Sequence, residues 1–351
     1  MELARTEPNE PEKQPKFYME ACFYPQFFYH ICSTPPQYDI SMKSLTFFLS
    51  WVCACTVAIA QETPYYTVKA EQGDGIFSLL RKEGLDPMTH YGEFLELNAE
   101  LLHGGSFLKV GKEYRIPGSG DTFKNTGVVV KTPMGLEEPL FDRELAQMSL
   151  RSDQLKDAVY YIIDEQETRL ENNFVRDLIK RLAADLMVHG ARVYVMGDGD
   201  LDPNTGPRPK GPQRLGDYID AVNRRYLQNS GKYQRVLVIR TRDLDESLPM
   251  EVTLQHDHKN GMGQRLAVNI QKAFRENSVG TISTKDPDMV FQDRNSLYLS
   301  NNILPPLSLL TLENSSRKSN EKIVLSPNRE RFAQWIGNGI MRDYAELEIE
   351  E

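Results

Sequence analysis

Apolar and polar residues follow two kinds of spacing in the first half of the chain. Residues 66, 68 and 70 are apolar or aromatic and alternate with polar residues, which predicts a short strand. A turn at residues 73–75 follows, and apolar residues then recur at helical spacing up to residue 101. Residues 114–117 predict a closing strand. The pattern therefore predicts a small module of order β-α-α-β.

Further along the chain, runs of β-branched and aromatic residues alternate with longer stretches of helical spacing. The predicted strands are residues 158–163, 192–195 and 236–239, and the predicted helices are residues 174–187 and 266–274. Because strands that alternate with helices pair through crossover connections, this order predicts an α/β fold with a mostly parallel sheet.

A change of composition separates the two regions. Residues 118–154 contain glycine, proline and scattered charge, which is typical of a linker with some ordered parts. We therefore expect a small domain at residues 66–117, a linker at 118–154 and a larger domain at 155–346.

Residues 42–60 have the three parts of a secretory signal peptide. They begin with a positive charge, continue with a short apolar core and end in Ala58-Ile59-Ala60. We expect cleavage before Gln61, with residues 1–41 as a non-native or disordered extension. An uncleaved membrane anchor and a lipoprotein cleavage site at residues 52–55 are the alternatives. Cleavage predicts an exported protein of the periplasm or cell envelope, without a stable membrane span.

Charge and cysteine content exclude some classes of function. The formal net charge is −9, which argues against broad electrostatic binding to nucleic acid. All four cysteines precede residue 61, so the remainder of the chain has neither a cysteine nucleophile nor a cysteine metal site.

The first module resembles the LysM family, through its opening strand and turn, a central Leu-Asn pair and its closing Ile-Pro. The matching residues are Tyr66, Val68, Gly73, Asp74, Leu97, Asn98, Val110, Gly111, Ile116 and Pro117. The resemblance implies binding to N-acetylglucosamine-containing glycans, chiefly peptidoglycan. The positions that it assigns to the glycan are Gly73, Asp74, Gly75, Ile76, Asn98, Ala99, Glu100 and Leu101. Alternatively, the glycines only form a turn and Asn98 only caps or ends a helix.

The larger domain resembles the zinc N-acetylmuramoyl-L-alanine amidases. The likeness is carried by a glutamate, a long helix, a glycine and a strand at residues 171–196, by a later helix at 264–274, and by residues 295–344. In that family a strand ends in the catalytic glutamate, and a Ser-Asn pair and a final helix follow. The resemblance places Glu171 at a zinc-ligand position and Glu313 at the catalytic position.

Two histidines that zinc catalysis requires are missing from their expected places. Glu165 and Gln166 follow the first strand of this domain, and Arg240 or Thr241 occupies the place of the second histidine. Carboxylates alone form a weak and poorly selective zinc site. We therefore expect no cofactor, and binding or regulation rather than catalysis. The alternative is an active amidase with a relocated zinc site near His256 and His258.

The expected partners follow from these two resemblances. They are peptidoglycan or another N-acetylglucosamine-containing glycan, and an envelope hydrolase that the larger domain regulates. A purely structural role for the larger domain is a further alternative.

Overall fold

The described residues of the computed structural model form a small two-stranded ribbon with helices and a much larger layered sheet. They are residues 64–166, 173–197, 212–242, 244–257, 260–277, 290–314 and 323–348, and they belong to one unit that begins at residue 62. Glu171, His258 and the predicted signal peptide at residues 42–60 lie outside the described residues. Among the described helices, none has both the length and the apolar character needed to cross a membrane.

The N-terminal module has the predicted β-α-α-β order, with one additional short helix. Its elements are β1 (Tyr65–Lys69), α1 (Ile76–Lys82), α2 (Pro87–Leu97), α3 (Ala99–Leu102) and β2 (Glu113–Pro117). β1 and β2 pair antiparallel, with Tyr65 opposite Pro117. The helices pack on this ribbon through a core that includes Leu80, Phe94 and Ile116.

Local chemistry explains where α2 begins. The Asp86 carboxylate accepts hydrogen bonds from the Met88 backbone nitrogen at 3.3 Å and the Thr89 hydroxyl at 2.8 Å. Pro87 occupies the first turn, where its missing N–H costs nothing and its fixed φ suits the helix. An aspartate cap followed by proline is therefore a start signal that can be read from the sequence.

The larger domain is built on a sheet that has eight strands within the described residues. The strands are β3 (Gly127–Lys131), β4 (Leu136–Pro139), β5 (Ala158–Gln166), β6 (Arg192–Met196), β7 (Tyr233–Arg242), β8 (Met250–His256), β9 (Leu307–Asn314) and β10 (Ile323–Leu325). Their order in the sheet is β10-β8-β9-β7-β5-β6-β3-β4, with parallel pairing from β9 through β3 and antiparallel pairing at both edges. The predicted α/β fold with a mostly parallel sheet is confirmed.

Helices cover both faces of this sheet. They are α4 (Phe123–Thr126), α5 (Asn173–Val188), α6 (Pro212–Gln228), α7 (Gly261–Asn277), α8 (Arg294–Asn302) and α9 (Arg329–Glu348), with a 3₁₀ helix at Arg143–Gln147. Apolar residues of α5, α7 and α9 share one core with one sheet face, and those of α6 and α8 share a second core with the other face. This double coverage explains the continuous apolar runs of β5 and β7.

The expectation that residues 118–154 form a linker is wrong for part of that segment. β3 lies beside β6 in parallel, and β4 forms the sheet edge next to β3. Thr122 Oγ1 also donates to the Glu83 carbonyl at 3.2 Å, and α1 contacts the 3₁₀ helix. The strand was missed because Val128–Val130 is a short apolar run between turn residues, and only its pairing with β6 makes it a strand.

A buried carboxylate fastens the last helix to the sheet. Asp343 of α9 is fully buried and accepts hydrogen bonds from Nε of Arg265 at 2.7 Å and Nε of Arg235 at 3.3 Å. The Tyr233 hydroxyl donates to the same carboxylate. Since a buried carboxylate is tolerated only when it is paired, this cluster fixes α9 against both α7 and β7.

Two glycines provide a matched test of the helix packing. A Cβ at Gly339 of α9 would lie 2.4 Å from the Ile270 Cα, whereas a Cβ at Gly92 of α2 would meet no atom within 4 Å. We expect Gly339→Ala to lower the free energy of unfolding by about 1–3 kcal/mol because the two helices must move apart. Gly92→Ala should raise it by up to about 1 kcal/mol because alanine favours the helix. Urea unfolding followed by circular dichroism measures the free energy of unfolding of each variant. Equal changes in Gly339→Ala and Gly92→Ala would contradict close packing at Gly339.

Candidate functional site

The carboxyl ends of the parallel strands bring polar side chains together at one edge of the sheet. Glu165 of β5 is in register with Arg240 of β7, and Arg240 is in register with Thr311 of β9. In open α/β sheets, ligands usually bind outside this edge. The carboxyl edge also contains Glu313, the position that the amidase resemblance assigns to the catalytic glutamate.

A buried guanidinium dominates the carboxyl edge. The Arg240 side chain is 1% exposed, and its Nε donates to Glu165 Oε2 at 2.9 Å. Its Nη1 donates to Asp293 Oδ2 at 3.1 Å. Glu165 is itself buried, so each charge of this pair compensates the other inside the protein. Burial alone would lower the pKa of Arg240, but the two carboxylates outweigh it and hold the pKa above its usual value.

Asp293 connects this cluster to a helix. It caps the start of α8, where its carboxylate accepts from the Ser296 backbone nitrogen at 2.9 Å and also from the Ser296 hydroxyl. Burial alone would raise the pKa of Asp293, but these hydrogen bonds and the charge of Arg240 hold it below the usual value. The ion pairs therefore join β5, β7 and α8.

Glu313, the residue at the family's catalytic position, lies one step further along the same edge. It is half-buried near the end of β9, in register with Arg242 of β7 and with Glu251 of β8. Glu313 therefore lies two residues beyond Thr311 on β9, next to the row formed by Glu165, Arg240 and Thr311. The edge carries charges of both signs rather than a set of metal ligands.

The residues at this edge do not fit zinc. The two positions at which the resemblance requires histidine hold Glu165 or Gln166 and Arg240 or Thr241, and a fixed guanidinium repels a divalent cation. Across the described ranges, no group of three His, Cys, Asp or Glu side chains could hold a metal ion. His256 is buried, and its Nδ1 lies 2.9 Å from the Asp257 carbonyl oxygen.

The predicted glycan positions of the N-terminal module divide into buried and exposed side chains. The buried set holds the module together: Ile76 is 3% exposed, and Asn98 is 1% exposed. The Asn98 amide donates to the Phe94 carbonyl at 2.8 Å and the Arg115 carbonyl at 2.7 Å, and it accepts from the Arg115 nitrogen at 2.8 Å. Only the backbone of these two residues can therefore face a ligand.

Asp74 is also engaged within its own loop. Its carboxylate lies 2.6 Å from Lys82 Nζ and accepts from the Glu71 backbone nitrogen at 2.8 Å. Burial alone would raise the pKa of Asp74, but Lys82 and this backbone bond hold it below the usual value. The side chain thus shapes the turn that contains Gly73, whose φ is +93°.

Gly73 and Gly75, two of the exposed positions, lie on a loop that runs beside a second loop. The Ala70 nitrogen donates to the Lys112 carbonyl at 2.9 Å, and the Gly111 nitrogen donates to the Ala70 carbonyl at 2.8 Å. These bonds join the loop at residues 70–75 to the loop at residues 103–112, and we call the two together the paired loops. Ala99, Glu100 and Leu101 are exposed just before the second loop.

Two apolar side chains of the second loop were missed by the sequence reasoning. Phe107 is 88% exposed and Val110 is 67% exposed. Val110 matches the LysM pattern without being assigned to the glycan, and Phe107 does not belong to that pattern. The available signal was an aromatic residue inside a loop rich in glycine, where no core position requires one. A Cβ at Gly73 or Gly75 would meet no atom within 4 Å, so the first loop is open.

Comparisons with known proteins found matches among solved structures. No family model matches the chain, and no curated protein matches it. The CwlD amidase of Clostridioides difficile, solved in complex with the GerS lipoprotein, is 13% identical with a TM-score of 0.34, covering 54% of this chain and 98% of that one.

Two further amidases give similar values. The N-acetylmuramyl-L-alanine amidase of Mycobacterium smegmatis is 11% identical with a TM-score of 0.35, covering 54% of this chain and 99% of that one. The N-acetylmuramoyl-L-alanine amidase AmiC2 of Nostoc punctiforme is 15% identical with a TM-score of 0.31, covering 56% and 99%. Identities and TM-scores of this size carry no statement about activity.

The charge of Asp293 can be tested separately from its capping role. Asp293→Asn keeps a capping acceptor for Ser296 but removes the charge that faces Arg240. We expect the free energy of unfolding to fall by about 1 kcal/mol at pH 7, a value reduced for the partial exposure of Asp293.

The loss of free energy of unfolding caused by Asp293→Asn should become smaller at acidic pH. Because the pKa of Asp293 is lowered in the folded protein, its stabilisation is complete above the unfolded value of about 3.9 and is lost as the pH falls further. Urea unfolding of the unaltered chain and of Asp293→Asn should thus give different free energies of unfolding at pH 7. That difference should narrow as the pH falls below about 3.9. Asp86→Asn is the control, because Asp86 caps α2 without an ion pair in the described residues. A difference that stays constant with pH would contradict the charge interaction.

Proposed function

We propose that this chain is exported to the periplasm or cell envelope and binds N-acetylglucosamine-containing glycan, chiefly peptidoglycan, through residues 66–117. The observation that carries the proposal is the pairing of the two loops at residues 70–75 and 103–112. The first loop has open backbone at Gly73 and Gly75, which the LysM resemblance assigns to the glycan. The second loop adds the exposed side chains of Phe107 and Val110, to which the resemblance assigns no glycan contact.

The chemistry of the paired loops suits a sugar. Pyranose rings have apolar faces that pack on exposed aromatic and aliphatic side chains, here Phe107 and Val110. Acetamido groups need nearby backbone donors and acceptors, and glycine lets the sugar approach the backbone closely. Neither feature requires a charged residue, which agrees with a neutral glycan.

For the larger domain we propose binding rather than cutting. Arg240 supports this interpretation. It is a buried guanidinium paired with Glu165 and Asp293, and either it or its neighbour Thr241 occupies the place where the amidase resemblance requires a histidine. Glu313 then remains at its position without a metal-bound water to act on. An envelope hydrolase or a peptide of the cell wall is the partner that the domain is proposed to bind.

The glycan proposal predicts that Phe107→Ala weakens binding of the purified chain to peptidoglycan sacculi about tenfold, as expected for loss of an aromatic anchor. Met88→Ala is the matched control. Met88 is 81% exposed in the same module but lies at the amino end of α2, away from the second loop. Sedimentation of the protein with sacculi gives both affinities. Equal losses in the two variants, or no binding by the unaltered chain, would refute the glycan site.

The proposal also predicts that the chain does not cleave peptidoglycan. Metal analysis of the purified protein should find no stoichiometric zinc, and incubation with sacculi should release no stem peptides. Glu313→Gln should bind sacculi as the unaltered chain does. Bound zinc together with peptide release that Glu313→Gln abolishes would instead establish the active amidase.

A further inference from the structure

A surface pocket of about 460 Å³ lies on the helix layer formed by α5 and α9. Its walls are the carboxyl-terminal half of α5, the first turns of α9 and the segment at residues 147–151. The Arg151 nitrogen donates to the Val188 carbonyl at 2.7 Å, which fixes this segment against the end of α5. The volume is within the range of about 300–1,000 Å³ that is usual for small-molecule sites.

The pocket is separate from the carboxyl edge already described. Val236 and Val238 of β7 belong to the core under α6 and α8, and Arg240 shares their face because side chains alternate along a strand. Ala183 and Leu182 of α5 belong to the core on the opposite face. The pocket therefore lies across the sheet from Arg240.

Small side chains create the floor of the pocket. Ala184 of α5 and Ala333 of α9 line it together with Met148 and Val188. Gly337 lies one helical turn after Ala333 in α9. A Cβ at Gly337 would be 2.6 Å from Asp185 Oδ2, so α5 and α9 approach each other closely at this point. This part of the pocket is therefore lined by small and apolar side chains, which leave room for a small side chain of a ligand.

Charged groups of both signs surround this floor. Arg151 and Arg181 are exposed, and neither guanidinium forms an ion pair with any residue that the structure describes. Glu330 is exposed in the first turn of α9, and Asp185 lies 4.0 Å from His189 Nε2. Two arginines without a carboxylate partner favour an anionic ligand, and the planar guanidinium matches a carboxylate in particular.

We propose that this pocket binds a short peptide with a free carboxyl-terminal carboxylate. The carboxylate is held by Arg151 and Arg181, a small side chain rests on the alanine floor, and Glu330 accepts a hydrogen bond from a peptide N–H. This site rests on the proposed binding of a cell-wall peptide by the larger domain and specifies where the peptide binds. It does not depend on the glycan site of the paired loops, so its failure would leave the glycan proposal and the proposed hydrolase partner unaffected.

The test is isothermal titration of the full chain with N-acetyl-alanyl-alanine, with its carboxyl-terminal amide and with inorganic phosphate. We expect the acid to bind and the amide to bind at least about tenfold more weakly, since the amide lacks the charge that the arginines recognise. Phosphate should bind more weakly than the acid. No binding of the acid, equal binding of the amide, or tighter binding of phosphate would overturn the peptide assignment.

Variants locate the binding in this pocket. Arg151→Gln and Arg181→Gln should each weaken binding of the acid about tenfold. The matched control is Arg331→Gln, which removes an exposed arginine of α9 that does not line the pocket. Ala184→Leu should abolish binding by filling the floor, with thermal unfolding showing that the variant is folded. An equal loss in Arg331→Gln, or full affinity in folded Ala184→Leu, would place the ligand elsewhere.

Discussion

The ion pairs of Arg240 set the chemistry of the larger domain. A guanidinium that is 1% exposed is stable only where carboxylates and hydrogen bonds replace its water, and Glu165 and Asp293 do this on either side. Removing Glu165, the buried partner, would leave the charge of Arg240 poorly compensated, a loss that typically costs about 3–5 kcal/mol for a buried pair. The cluster therefore joins two central strands to α8 and puts a guanidinium, rather than a metal ligand, at this point of the carboxyl edge.

The parallel pairing of the central strands is the second constraint, because it determines which side chains meet. β5, β7 and β9 run in the same direction, so their last residues reach one edge although they are far apart in the chain. Register then places Glu165, Arg240 and Thr311 in one row and Arg242, Glu313 and Glu251 in the next. A substitution at any of these positions therefore changes the polar or charged groups of the whole carboxyl edge and not those of one strand alone.

Three surfaces of different chemistry result from this architecture. The paired loops present apolar side chains and open backbone, the carboxyl edge holds the ion pairs of Arg240, and the pocket between α5 and α9 presents two exposed arginines beside small side chains. A neutral sugar suits the first surface, and a carboxylate suits the third. Under the two binding proposals, the first surface takes a glycan and the third a peptide, while the ion pairs of Arg240 stabilise the fold.

The sequence alone determined the element order of the N-terminal module, the α/β class and three central strands, since apolar periodicity and turn residues are local properties. It also showed that two histidines are missing, because that depends only on residue identity. Only the tertiary structure decided that the segment at residues 118–154 supplies sheet strands, that Asn98 and Ile76 are buried, and that Arg240 is paired. These facts depend on which distant residues come into contact, and pairing between strands far apart in the chain leaves no periodic signal in either one.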